Sequence, residues 1–249
     1  TDTWSSTQAA PYSFTTSNRP NKTTQSAPVN NVTGVALSPS FTLVSTDSDN
    51  DYLRYKIVLC KDATMSLAAG CQVIDQTVSQ TGWSGQNTQS NTAYTSGTTA
   101  TYTVQTPLTA GTSYWWYSYA IDPGGSNAWS DMLLLPSKFT TSGPPTTPTL
   151  NSPINGATSV PLLPVLQTTT TDGDGDYIRY KIVLCTNDLM TAGCQTFDET
   201  LSQTGWSGQN AQSGTAYTSG TTASYTVVTA LAFDTYYYWK TYAIDPGGS

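Results

Sequence analysis

A chain of 249 residues with 10% charged side chains, a net charge of -7 and no histidine leaves few functional classes open. Sixteen acidic against nine basic residues argue against a nucleic-acid footprint. The missing histidine removes Ser-His and Cys-His nucleophiles and most zinc sites, and no apolar run nears the ~18 residues of a membrane helix.

Sixteen Tyr, seven Trp and recurrent Thr runs are the composition of strands, so the expected class is all-β. Self-comparison then divides the chain. Residues 51–60 (DYLRYKIVLC) recur as 176–185 (DYIRYKIVLC), and 79–87 (SQTGWSGQN) recur unchanged as 202–210, an offset of about 125 residues. Two domains are expected, each long enough to bury a core. The opening 1–16 is the odd piece. Its Trp4-Ser5, Pro11 and Phe14-Thr15-Thr16 match Trp129-Ser130, Pro136 and Phe139-Thr140-Thr141, which close the first copy and do not follow the second. The expected division is 1–16, equivalent to a last sandwich strand; 17–141, repeat 1; and 142–249, repeat 2, incomplete. A start at Thr1 fits a processed secreted protein or a stretch of a longer one.

The proline-rich 142–153 (SGPPTTPTLNSP) reads as an extended, stiff joint, because proline fixes φ and removes a donor. In repeat 2 a strand is expected around 160–169, then an Asp-rich loop, then a strand over 177–185. There Ile178, Tyr180, Ile182 and Leu184 alternate with Arg179, Lys181 and Val183 at the period of two that puts one set inside. The polar stretch 196–222 reads as short edge strands and a long excursion, after which Tyr225 and Val227 open a strand and 237–244 form the most aromatic one. Cys60 with Cys71, and Cys185 with Cys194, flank a short loop after the same strand in each copy and are read as disulfides; buried free thiols are the alternative. Each bridge would add about 2–3 kcal/mol by loop entropy and imply an oxidising, extracellular location.

Leu108 is followed six residues on by Tyr114, and Leu231 by Tyr237. This resembles the tyrosine corner of fibronectin type III domains, in which a phenol at a strand start bonds back to the preceding corner. The Asp-rich turn, Thr-x-Tyr-x-Trp, Ala-x-Asp, Trp-Ser and Phe-Thr-Thr together resemble the fibronectin type III-like (immunoglobulin-like) repeats of bacterial surface and secreted proteins. The resemblance implies two tandem immunoglobulin-like β-sandwiches at the cell surface, the second lacking its last strand. The long insertions over 71–102 and 194–225 depart from the pattern and predict a decorated sandwich.

Fifteen of the sixteen acidic residues are Asp, and eight fall in two equivalent sets: Asp47, Asp49, Asp51 with Asp122, and Asp172, Asp174, Asp176 with Asp245. In a sandwich of this type the two loops involved share one end, so the carboxylates can converge and would repel without a hard cation. Calcium, one ion per repeat, is the expected cofactor. An EF-hand is excluded, since position six is Tyr52 or Tyr177 and position twelve Val58 or Val183. A solvated acidic turn and a glycosidase carboxylate pair are the other readings. Trp83 and Trp206 could be sugar platforms, plugs for a neighbour, or core of their own domains. Asn21 and Asn31 match the N-glycosylation acceptor pattern, and Thr146, Thr147 and Thr149 lie in a stretch suited to glycans on hydroxyls.

A sandwich without its final strand has an open edge that invites a partner. Trp4, Pro11 and Phe14 mark the segment that would fill it from a neighbouring copy, giving a fibre. This is similar to donor-strand exchange in pilus subunits. Where the in-chain strand has Met132 to Leu135, however, the opening has the less apolar Thr7-Gln8-Ala9-Ala10. The expected function is a non-enzymatic subunit of an extracellular filament whose partners are its own copies. A tandem-repeat stalk of a longer adhesin and a carbohydrate-binding module are the alternatives.

Overall fold

The computed structural model describes residues 10–66, 70–133 and 135–246. All of its regular structure is β. In the first module β1 (Thr24–Ala27), β3 (Ser40–Val44), β7 (Ala100–Thr103) and β6 (Trp83–Ser84) form one sheet in the order β1-β3-β7-β6. The facing sheet runs β2-β9-β8-β4-β5, with β2 (Val32–Val35), β4 (Arg54–Cys60), β5 (Gln72–Asp75), β8 (Ser113–Ile121) and β9 (Ser137–Thr141). Alternation sets which side chains lie between the layers. Phe41 and Leu43 from one sheet meet Tyr55, Ile57, Trp116 and Phe139 from the other, all of them fully buried. The Phe41 ring meets Trp116 edge-on at 4.8 Å and Phe139 at 5.8 Å.

The second module repeats the first strand for strand up to a point. One sheet is β10-β11-β15-β14, with β10 (Thr149–Ser152), β11 (Val165–Thr169), β14 (Trp206–Ser207) and β15 (Ala223–Thr226); the other is β13-β12-β16, with β12 (Arg179–Cys185), β13 (Gln195–Asp198) and β16 (Tyr238–Ile244). Ile178, Tyr180, Ile182 and Leu184 are all buried, as the alternation requires. The difference is at one edge. In module 1, β8 pairs with β9, and β9 pairs in parallel with β2. Among the described residues neither neighbour has a counterpart beside β16. Ile121 at the end of β8 is 7% exposed, whereas Ile244 at the same place in β16 is 45% exposed. These are two tandem immunoglobulin-like sandwiches, and among the described residues the seat beside β16 is unfilled.

Several expected boundaries shift: β12 starts at Arg179 and not 177, β16 at Tyr238 and not 237, and β15 runs Ala223–Thr226, leaving Val227 outside. The strand anticipated from residue 160 begins at Val165, because Pro161 and Pro164 interrupt donor supply before it. Only 142–148 serves as connector; Thr149–Ser152 of the anticipated joint is β10, pairing with β11 through a bulge between Leu150 and Ser152. Both phenols of the Leu-Tyr signature accept from the backbone of their corner, Tyr114 from Thr109 N at 3.0 Å and Tyr237 from Ala232 N at 3.1 Å. The disulfides Cys60–Cys71 and Cys185–Cys194 are formed, each closing the β4-β5 or β12-β13 loop.

Candidate metal centre

Register brings the acidic loops together. β4 and β8 pair so that Arg54 lies opposite Ile121, and β12 and β16 so that Arg179 lies opposite Ile244. The residues just before β4 and just after β8 must therefore meet at one end of the sheet. Asp51 and Asp122 do, joined by Asp47 from the same loop; one oxygen of each lies within 4.8 Å of the others. Asp172, Asp176 and Asp245 form the same triad in module 2.

Each triad is built around the first aspartate of its loop. Asp47 Oδ1 accepts from Asp49 N at 2.9 Å and Asp51 N at 3.4 Å, and Asp172 Oδ1 from Asp174 N at 2.8 Å and Asp176 N at 3.3 Å. These bonds wrap each loop around its first carboxylate. The second oxygens, Asp47 Oδ2 and Asp172 Oδ2, are buried and have no hydrogen-bond partner. Asp122 is fully buried, fastened by Ser126 N at 2.8 Å and Ser126 Oγ at 2.6 Å. Ion pairs join Arg19 to Asp131 and Lys56 to Asp75. A buried carboxylate oxygen left without a partner is costly. An all-oxygen donor set of this kind fits a hard cation.

Gly125 lies tight against the module 1 cluster. A Cβ there would run into the Asp51 carboxylate and come to 2.6 Å from Asp122 Oδ2 and from Ser17 Oγ. The second glycine of Asp-Pro-Gly-Gly thus lets the Asp51 carboxylate and Ser17 Oγ pack directly against the backbone. It is a matter of room, since its φ is not in the left-handed region.

Asp49 and Asp174 stand outside the triads and grip the segment entering each module. Asp49 Oδ2 accepts from Asn18 N at 2.6 Å and Ser17 Oγ at 3.1 Å. The Asn18 amide holds the exposed Asp49 carboxyl below its ordinary value. Asp174 Oδ2 accepts from Gly143 N at 2.8 Å. The same segments touch the triads: Ser17 Oγ lies 2.8 Å from Asp51 Oδ2, and Ser142 Oγ lies 2.7 Å from Asp176 and 3.1 Å from Asp245. A hydroxyl has one proton, so Ser142 serves one of its two carboxylates at a time. Sequence reasoning missed Ser17 and Ser142. Their signal is that both follow Thr-Thr at the repeat offset.

The other candidates fall in varied places. Trp4 lies outside the described residues; Pro11 is exposed, Phe14 is 90% exposed, and no strand includes 10–23. Trp83 and Trp206 are 7% and 8% exposed, packed on Tyr102 and Tyr225 in their own cores, which leaves no sugar platform on either. Asn21 is exposed with Nδ2 donating to Thr46 Oγ1 at 2.8 Å, and Asn31 is exposed at a φ of 66°. Thr146, Thr147 and Thr149 are exposed, Thr146 bonding through Oγ1 to Thr171 O at 3.0 Å.

No family model matches the sequence, and no curated protein matches it. Among solved structures the chain is similar to the chicken CNTN1 FN1-FN3 domains, at 12% identity and a TM-score of 0.30, covering 92% of this chain and 62% of that one. It is also similar to the Clostridium thermocellum CbhA fibronectin(III)-like modules, at 13% identity and a TM-score of 0.24, covering 71% of this chain and 78% of that one. The chain thus spans less than two thirds of the first. The sandwich assignment rests on the sheet order given above and not on these likenesses.

Proposed function

We propose that the protein is a structural subunit of an extracellular, cell-surface filament, joined head to tail by strand complementation and stiffened by one calcium ion per module. The observation that carries this reading is the open seat beside β16, set against its occupied twin beside β8. In module 1 that seat holds β9, whose Phe139 is fully buried against Phe41 and Tyr114. Phe14-Thr15-Thr16 repeats Phe139-Thr140-Thr141 and has no strand partner among the described residues. Trp129 lies over the Lys56 ammonium, 3.8 Å from the ring centroid. Lys181 occupies the same place in module 2 and is exposed, and Trp4 is the matching tryptophan.

The two disulfides indicate an oxidising, extracellular environment. For calcium, the support is the orphaned oxygen of Asp47 and Asp172 within the two carboxylate clusters. The six triad residues Asp47, Asp51, Asp122, Asp172, Asp176 and Asp245 would hold the ions. The buried members of each triad, Asp47, Asp122, Asp172 and Asp245, offer no face for a sugar ring, which weighs against a glycosidase pair.

A fibre boiled in detergent tests the assembly: strand exchange yields 26.6 kDa units and partial multiples, whereas one very large chain would show covalent continuation and sink the exchange reading. Metal analysis after dialysis tests the cofactor, with two calcium ions per chain expected. No bound metal, with a melting temperature indifferent to chelator, would remove it.

A further inference from the structure

Two halves of one joint are present on this molecule at places far apart in the chain. The complete joint lies between the modules. Ser142 N donates to Val35 O at 2.8 Å, and Gly111 N donates to Ser142 O at 2.8 Å, so the connector is fastened to module 1. One residue on, Gly143 N donates to Asp174 Oδ2 and fastens it to module 2. The surfaces come close enough that a Cβ on Gly34 would lie 3.3 Å from Asp174 Cβ, and one on Gly111 would lie 3.7 Å from Gly143 Cα.

The downstream half recurs on module 1, where Asp49 and Asp51 grip Ser17 and Asn18 as Asp174 and Asp176 grip Gly143 and Ser142. The upstream half recurs on module 2. Asp234 stands where Gly111 stands, with φ of 53° against 57°, and Ser159 where Gly34 stands, with φ of 58° against 66°. Left-handed backbone is uncommon for a serine, though milder for an aspartate. Its retention by Asp234 and Ser159 means that module 2 keeps the shape of the joining face with no module docked there.

Resting on the proposed head-to-tail assembly, we infer that the joint between copies repeats the joint within the chain, and that Ser159 and Asp234 of one copy contact Asp49 and Asn18 of the next. The equivalences fix the pairs. Ser159 replaces Gly34 opposite Asp49, a hydroxyl donor facing a carboxylate. Asp234 replaces Gly111 opposite Asn18, a carboxylate facing an amide donor. Inside the chain these places are glycine or lack a complementary partner, so the polar pairs distinguish the joint between copies and make a second copy the fitting occupant.

Paired cysteines read the contact directly. Assembled N18C/D234C and, separately, D49C/S159C are oxidised and boiled in detergent without reductant, with G34C/D174C as the in-chain control. N18C/D234C leaves all six triad carboxylates in place. A ladder that collapses to single units on reduction is expected for both pairs. Fibres visible by electron microscopy that yield only single units would overturn the joint while leaving polymerisation standing; no fibre from the unaltered protein would overturn both. For a variant that does not assemble, helical reconstruction of the unaltered fibre decides. The rotation from module 2 to the next module 1 should equal that from module 1 to module 2, and Ser159 out of contact with Asp49 of the next copy sinks the inference.

Discussion

Gln76 and Glu199 occupy the same buried place in the two modules, and only the second can titrate. Each accepts from a tyrosine backbone amide, Gln76 Oε1 from Tyr55 N and Glu199 Oε2 from Tyr180 N, both at 3.0 Å. Gln76 Nε2 also donates, to Gln80 Oε1 at 3.1 Å and Thr92 O at 3.3 Å. Glu199 can copy that donation only when protonated. Burial pushes its carboxyl up to about 7, against the lowering pull of the Tyr180 amide, Gln209 and the Arg179 charge, with Asp198 adding to the rise. A raised folded value means that the native state binds the proton more tightly. Module 2 therefore loses stability as pH climbs from 4.5 towards 7, by about 3 kcal/mol in all, and does not regain it above. Glu199→Gln should abolish the decline and raise the melting temperature at pH 8, with module 1 as internal reference; a scan unchanged between pH 5 and 8 in the unaltered protein would refute this. At the same scale, Gly125→Ala places a methyl on the Asp51 carboxylate. It should release the module 1 metal and cost about 1–3 kcal/mol by overpacking, measurable as one calcium fewer per chain and a lower melting temperature.

At the scale of elements, β16 shows what a missing neighbour does. Its central register against β12 equals that of β8 against β4, yet each of its positions is more exposed than its twin. Tyr238, Tyr242 and Ile244 are 41%, 46% and 45% exposed. An edge this apolar invites pairing. Phe14→Asp should abolish fibres while leaving the monomer's melting temperature within about 0.5 kcal/mol of its original stability, since an exposed side chain carries little. Fibres of normal length from that variant would count against Phe14 as the residue that fills the seat. The connector gives the converse case: in the run 144–153 four prolines discourage a strand, yet Thr149 and Leu150 keep free donors and tertiary pairing with β11 claims them.

Across the whole molecule, each incoming connector ends on the carboxylates that would ligate an ion. Withdrawal of calcium should therefore loosen the joints as well as the loops. Persistence length measured on electron micrographs should fall on chelation and recover when calcium, though not magnesium, is restored, since magnesium demands a tighter octahedral site. A persistence length unmoved by chelator would separate the ion from the joint.

The amino-acid sequence by itself determined the repeat, the β class, the inward set of Ile178, Tyr180, Ile182 and Leu184, and the partners of all four cysteines. Each of these depends on order along the chain, on a period of two or an offset of about 125 residues, which local sterics turn into structure. The eight aspartates were legible as a group, but their division was not. Which three converge, and that Asp49 and Asp174 hold the connectors instead, follows from the register of β4 with β8 and of β12 with β16. Burial of Trp83, Trp206 and Glu199 and the close packing at Gly125 were likewise settled by tertiary structure. Each is fixed by groups far apart in the chain that only folding brings within a few ångströms.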